Sequence, residues 1–141
     1  MLDFGAGSGL VALAAAKAGA THVIAADIDP FAVAAISRNA KANALIIETV
    51  DKDMIGSGER FDLILIGDMC YERPLAERLM AWLKETQADI LLGDPGRSYF
   101  PKSGLTRLAT YNVPTTRELE DREIRETSVW QLDQTDRKSV V

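Results

Sequence analysis

Asp3-Phe4-Gly5-Ala6-Gly7-Ser8-Gly9 is the stretch that decides how this chain folds. It stands between an apolar run, Met1 to Phe4 (MLDF), and an alanine- and leucine-rich run, Leu10 to Ala18 (LVALAAAKA). The first reads as the end of a buried strand. The second reads as a helix, because Ala and Leu are strong helix formers, and Gly19 ends it. A glycine-rich turn between a strand and a helix is the setting in which such a turn holds a ligand. Its glycines let the backbone turn tightly and approach a ligand with no Cβ in between. The helix start behind them offers unpaired N–H groups and partial positive charge, which suits a carboxylate.

Outward from that turn, strand and helix alternate. His22 to Ala26 (HVIAA) is a second strand. Asp29-Pro30 opens a helix, with Asp as N-cap and Pro at the first helical position, and the helix runs to about Asn43. Leu45 to Val50 and Phe61 to Ile66 are the third and fourth strands. Pro74 to Glu85 puts Leu75, Leu79, Trp82 and Leu83 on one helical face. Ala88 to Leu92 is a fifth strand, and Leu108 to Val113 and Ile124 to Leu132 are two more. Thr115-x-x-Glu118 reads as a capping box for a turn between those last two. The alternation and the continuously apolar first strands predict an α/β fold with a mostly parallel seven-stranded sheet and helices on both faces. The chain begins inside its first strand, which in such a sheet is central and normally has covering structure before it. The expectation is therefore an N-terminally truncated domain over residues 1–132, followed by a polar tail over 133–141.

Bulk properties narrow the function. The 141 residues fit one domain, with 47% apolar and 26% charged residues. A net charge of −5 argues against a nucleic-acid partner held by phosphate contacts. One cysteine, Cys70, and one histidine, His22, make neither a disulfide framework nor a Cys/His metal site. No apolar run reaches the roughly 18 residues that span a bilayer, and the start lacks a basic signal-peptide region. A cytoplasmic setting, away from membranes, is the expectation.

The turn's spacing separates two cofactor classes. A dinucleotide fingerprint needs a third glycine at the position that Leu10 occupies, which argues against NAD. An acid two residues before the first glycine points instead to S-adenosylmethionine (SAM), with Asp3 facing the methionine ammonium and Gly5, Gly7 and Gly9 forming the turn. Asp27, at the end of the second strand, is placed to accept both ribose hydroxyls; helix capping, its structural alternative, already falls to Asp29. After the third strand, Asp53 is a candidate for the adenine amino group and Met54 for the ring face, with Asp51 competing for the acidic role.

The catalytic end follows the fourth strand. Open α/β sheets bind ligands beyond the carboxyl ends of their strands, so Asp68 and Tyr71 border the methyl group. Methyl transfer is an in-line displacement that depends on positioning. Asp68 would stabilise the charge that grows on an attacking amine, and Tyr71 would orient the amine. Helix capping near Pro74 is the alternative for Asp68. A tension attaches to the catalytic reading: a carboxylate holds a nearby lysine in its charged form, yet the lysine must be neutral to attack. Asp94-Pro95-Gly96-Arg97 and Pro114-Thr115-Thr116 lie on the same rim, either shaping the acceptor pocket or serving as ordinary turns. His22 falls at the wrong end of the sheet for a base, and Cys70 reads as a small packing residue.

These residues resemble the seven-stranded, Rossmann-like class I SAM-dependent methyltransferases, which implies the strand order 3-2-1-4-5-7-6 with strand seven antiparallel. Asp68-x-x-Tyr71 resembles the acidic-x-x-aromatic motif of a branch of protein lysine methyltransferases. The runs GDMCYERPLAERLMAWL, LLGDPGRSYFP and ATYNVPTTRELED are most similar to bacterial relatives of the electron transfer flavoprotein beta-subunit lysine methyltransferase. That resemblance implies SAM as cofactor, a protein substrate, catalytic roles for Asp68 and Tyr71, and cofactor roles for Gly5, Gly7, Gly9 and Asp27. It also implies a family segment before the glycine turn that this chain lacks. A small-molecule N-methyltransferase and a non-catalytic SAM-binding scaffold remain open beside it.

Overall fold

The computed structural model describes residues 1–115 and 124–134. Seven strands form one sheet: β1 (Leu2–Phe4), β2 (Ile24–Ala26), β3 (Glu48–Val50), β4 (Leu63–Gly67), β5 (Asp89–Asp94), β6 (Leu105–Pro114) and β7 (Ile124–Leu132). Three helices accompany them among the described residues: α1 (Leu10–Lys17), α2 (Pro30–Ala42) and α3 (Arg73–Glu85). The strand order is β3-β2-β1-β4-β5-β7-β6, the order that the resemblance implies. β1 to β5 run parallel, and β7 is antiparallel to both of its neighbours.

The sheet's two faces follow from the period of two along each strand. Leu2, Phe4, Ile24, Ile64, Ile66, Ile90 and Leu92 point to one face and are buried under Leu79, Trp82 and Leu83 of α3. Val23 and Ala25 point to the other face and pack with Ala12 of α1 and Ile36 of α2. Burying a Leu or Ile side chain contributes roughly 1.5–3 kcal/mol, so the α3 face anchors the centre of the sheet. On the opposite face, Leu63, Leu65 and Leu91 stay half-buried, because α1 and α2 pack over β1 and β2 instead.

Some element ends differ from the sequence reading. β3 begins at Glu48 rather than Leu45, and Ile46 is 96% exposed. The reason lies in the exit from α2. Ala44 takes a left-handed conformation (φ 53°). Its N–H donates to the Lys41 carbonyl, and the Leu45 N–H donates to the Ala40 carbonyl. That is the reversed pair of bonds that closes many helices, here made without glycine. It uses the residues expected to start the strand. β2 begins two residues late, at Ile24. β5 continues to Asp94 because antiparallel β7 pairs Ser128 with it. β6 is longer than expected, with a bulge between Arg107 and Ala109. Thr116 and Glu118, from the rim and capping-box readings, and residues 135–141 of the polar tail lie outside the described residues. No helix among the described residues is long and apolar enough to cross a membrane.

Candidate functional site

The glycine turn takes the backbone conformations that its glycines permit. Gly5, Gly7 and Gly9 have φ of 65°, 56° and 86°, a region that L side chains rarely adopt. Gly9 is the N-cap of α1 and packs against Ile36, while Gly7 faces open space. At Gly5 an added Cβ would lie 2.5 Å from Met69 Sδ. Gly5→Ala therefore combines a clash with left-handed strain of about 1–2 kcal/mol. The expected result is a melting temperature about 5 °C lower. An unchanged melting curve would mean that the turn relaxes freely.

Two aspartates organise the turn from below. Asp3 is 2% exposed, and its Oδ2 accepts the Ala12 N–H at 2.9 Å, one of the orphan donors of the first turn of α1. Burial pushes its carboxyl up to about 6, against the opposing pull of that hydrogen bond, with Asp27 nearby adding to the rise. Raised above its unfolded value, this group stabilises the fold fully below about pH 4 and progressively less as pH climbs through about 6. Unfolding stability should thus fall by about 3 kcal/mol from this group across that window. In urea titrations at the two ends of the window, Asp3→Asn is expected to flatten that slope. An equally steep slope in the variant would assign the fall to other groups.

Asp27 sits beside the turn at the carboxyl end of β2. Its Oδ2 accepts the Gly7 N–H and its Oδ1 accepts the Asp29 N–H, both at 2.9 Å. Asp29 in turn caps α2 by accepting the Phe31 N–H at 2.9 Å, the role its position before Pro30 predicts. Asp27 therefore fixes the turn, and it also lines a cleft of about 210 Å³. Phe4, Gly5, Ile28, Met54 and Met69 give that cleft an apolar lining, and Asp53, Tyr71 and Arg78 stand at its edge.

Of the residues proposed from sequence, Gly5, Asp27, Asp53, Met54 and Tyr71 line this cleft, while Asp3, Gly7, Gly9 and Asp68 do not. Met54 is buried in the cleft wall. Asp53 lines it too, but its Oδ2 accepts from Arg78 Nη2 at 3.0 Å and its Oδ1 from the Ile55 N–H at 3.0 Å. The competing Asp51 is exposed and does not line the cleft. Tyr71 lines it while half-exposed. Asp68 is turned away from the lining. It has φ 51°, its N–H donates to the Gly93 carbonyl at 2.9 Å, and its carboxylate is held by Arg97 at 2.6 and 2.7 Å. It does not cap α3, whose N-cap is Glu72.

Sequence reasoning did not find Met69, Ile28, Arg78 or the Arg97 pairing. Met69, next to Asp68 past an apolar strand, carried a weak signal. Arg78 and Arg97 carried none for their partners, which lie 25 and 29 residues away. Cys70 is buried, and burial, reinforced by Asp94 and Asp68, pushes its thiol up to about 11, so it stays protonated at neutral pH. His22 lies at the amino ends of the strands and contacts Glu48 Oε2 at 2.9 Å. The roomier clefts, of about 720 and 610 Å³, also open at that end, around Arg60 and Asp62. They carry no glycine turn at a helix start, and ligands of open α/β sheets sit at the opposite edge. Among the described residues, no group of three or more His, Cys, Asp or Glu is placed to hold a metal.

The donor set fits an adenosyl cofactor. A carboxylate beside the glycine turn suits a ribose diol. The apolar slot of Met54, Ile28 and Met69 suits a flat ring, and the start of α1 suits a carboxylate.

Comparison with known proteins agrees with that geometry. A sequence model of the ribosomal protein L11 methyltransferase (PrmA) family matches residues 1–69. The electron transfer flavoprotein beta subunit lysine methyltransferase of Danio rerio is 39% identical over 140 residues, covering 92% of this chain and 54% of that protein. The protein of the same name from Homo sapiens is 32% identical over 143 residues, covering 92% of this chain and 53% of that protein. The chain thus spans about half the length of these relatives. Among solved structures, magnesium protoporphyrin IX methyltransferase from Synechocystis PCC 6803 with bound SAH superposes with a TM-score of 0.68 at 18% identity, over 94% of this chain and 73% of that one. A ribosomal protein L11 methylase from Lactobacillus delbrueckii subsp. bulgaricus gives 0.60 at 19% identity, over 93% of this chain and 69% of that one.

Proposed function

From the premise that this chain has the class I methyltransferase fold and is a relative of the electron transfer flavoprotein beta subunit lysine methyltransferases, we propose that it is a SAM-dependent protein-lysine N-methyltransferase. Its substrate in this reading is the beta subunit of electron transfer flavoprotein. Residues 1–132 belong to the catalytic domain. One observation carries the proposal: Gly5 of the glycine turn, Asp27 and Tyr71 line one cleft, and Asp68 stands beside it at the carboxyl end of β4.

SAM, when bound, supplies an electrophilic methyl group on a sulfonium. The chain's own residues do the rest. Asp27 would accept from the ribose diol while it fixes Gly7. Asp3, held by the Ala12 N–H, would offer negative charge beneath the turn for the methionine ammonium. Met54 and Ile28 would flank the adenine, and Asp53, braced by Arg78, would receive its amino group. Tyr71 excludes water at the mouth and orients the incoming lysine. Asp68 stabilises the positive charge that grows on the lysine nitrogen.

A cytoplasmic setting is part of the proposal and rests on the lone free Cys70. The acidic net charge of −5 favours a protein acceptor over nucleic acid. The test is calorimetric titration with SAM and, separately, NAD, followed by radiolabelled methyl transfer to purified electron transfer flavoprotein. Micromolar SAM binding without NAD binding, and label on beta-subunit lysine, are expected. Binding of NAD in place of SAM would overturn the cofactor assignment. SAM binding with label only on small amines would favour a small-molecule N-methyltransferase.

A further inference from the structure

Arg97 reaches Asp68 through a chain of contacts that begins at a buried carboxylate. β4 and β5 are paired in register, with Gly67 opposite Gly93, so the residues that follow each strand emerge side by side. Asp94 ends β5 and is 5% exposed. Its Oδ2 accepts the N–H groups of Gly96 and Arg97 at 2.8 and 2.9 Å, folding Asp94-Pro95-Gly96-Arg97 back on itself. From β7, Arg125 Nε donates to the Pro95 carbonyl at 3.1 Å and pins the turn from the far side. The Arg97 guanidinium is thereby aimed at Asp68, which it grips with Nε and Nη2 at 2.6 and 2.7 Å. Two-pronged pairing of this kind fixes orientation as well as charge. Asp68 itself has a left-handed backbone. Aspartate tolerates that conformation better than most non-glycine residues, and the Gly93 carbonyl and Arg97 hold it there.

We propose that Arg97 is a positioning residue of the acceptor site: its guanidinium orients the Asp68 carboxylate and offsets its charge, so that the target lysine binds in its neutral form. The proposal rests on the lysine-methyltransferase reading given above. It resolves a conflict within that reading. A bare carboxylate beside a lysine holds it protonated and unreactive. A carboxylate already paired with guanidinium adds little net charge, yet its remaining lone pairs still accept a hydrogen bond. The lysine lone pair can then form the N–C bond as the S–C bond breaks, and the extra proton on the methylated nitrogen passes to water.

Other charged groups sit on the elements around the pair. Asp94 lies below it from β5. Lys102 from the β5–β6 connection, Arg107 from β6 and Glu126 from β7 line an adjoining cleft of about 400 Å³ with Arg97. Glu72 and Arg73 begin α3, with Arg73 over the Tyr99 ring at 5.5 Å. The buried Cys70 thiol stays protonated. Among these groups, Arg97 is the cation that grips the Asp68 carboxylate itself.

The test compares Arg97→Gln and Arg97→Lys with the parent chain. The kcat profile against pH reports groups in the bound complex. Removing one charge a few ångströms from the amine should move its midpoint up by about one pH unit in Arg97→Gln. Arg97→Lys keeps the charge and should hold the midpoint near the parent's while kcat falls. A second readout needs no turnover. With S-adenosylhomocysteine present, electron transfer flavoprotein is titrated by calorimetry in buffers of different ionisation enthalpy. The proton released on binding by the parent chain should fall by about half or more in Arg97→Gln. Uniform loss of kcat with an unmoved midpoint and unchanged proton release would overturn the proposal and leave Arg97 a structural brace. Failure of the parent chain to methylate or bind the flavoprotein, with SAM binding intact, would instead overturn the substrate reading, and this proposal with it.

Discussion

Asp27→Ala is expected to weaken SAM binding by about 100-fold in calorimetric titration. The size follows from what its carboxylate holds. One oxygen accepts the Gly7 N–H and the other the Asp29 N–H, so the side chain braces both the glycine turn and the entry to α2. Hydrogen bonds to a charged group contribute about 1.5–3 kcal/mol each. Losing the ribose contact, with some loosening of the turn, removes about 2.7 kcal/mol, or two decades of affinity. Asp27→Asn keeps one acceptor oxygen and should fall between the two. The cap of α2 is made by Asp29's own carboxylate, so the fold should survive in both variants. Unchanged affinity in Asp27→Ala would sink the ribose assignment and leave Asp27 a brace only.

For Asp68→Ala, the expected result is methyl transfer slower by about 100- to 1,000-fold, with SAM affinity within about twofold of the parent. Removing one preorganised group aimed at developing charge typically has an effect of that size. SAM binding should be spared because the Asp68 carboxylate turns to Arg97 and does not line the cleft. The left-handed backbone complicates alanine, which adopts it less readily than Asp or Asn. Asp68→Asn separates the effects: it tolerates the backbone and lacks the charge. Equal losses in both variants would tie catalysis to the charge. Full turnover in Asp68→Asn would show that hydrogen bonding and shape suffice, and full turnover in both would make Asp68 structural.

Much of the fold was legible in the chain because its signals are local. The glycine turn, the Asp29-Pro30 start of α2 and the apolar face of α3 each depend on residues within a few positions of one another. Strand ends were less legible. β3 lost its first residues to the helix exit at Ala44, a left-handed position where neither glycine nor asparagine gave warning. β5 and β6 gained residues from antiparallel pairing with β7, which local propensity does not record.

The site divides along the same line. By itself, the sequence determined the strand–turn–helix at Gly5 to Gly9, the carboxylate at the end of β2 and the acidic-x-x-aromatic motif after β4, because chemistry and spacing travel together in a short segment. Only the tertiary structure decided what those groups touch. Asp68 meets Arg97, and Asp53 meets Arg78, across 29 and 25 residues. The Asp68–Arg97 pair exists because parallel β4 and β5 bring the ends of two distant segments to one edge. The direction a carboxylate takes there is set by the cation that the neighbouring strand delivers, and no window of sequence contains both.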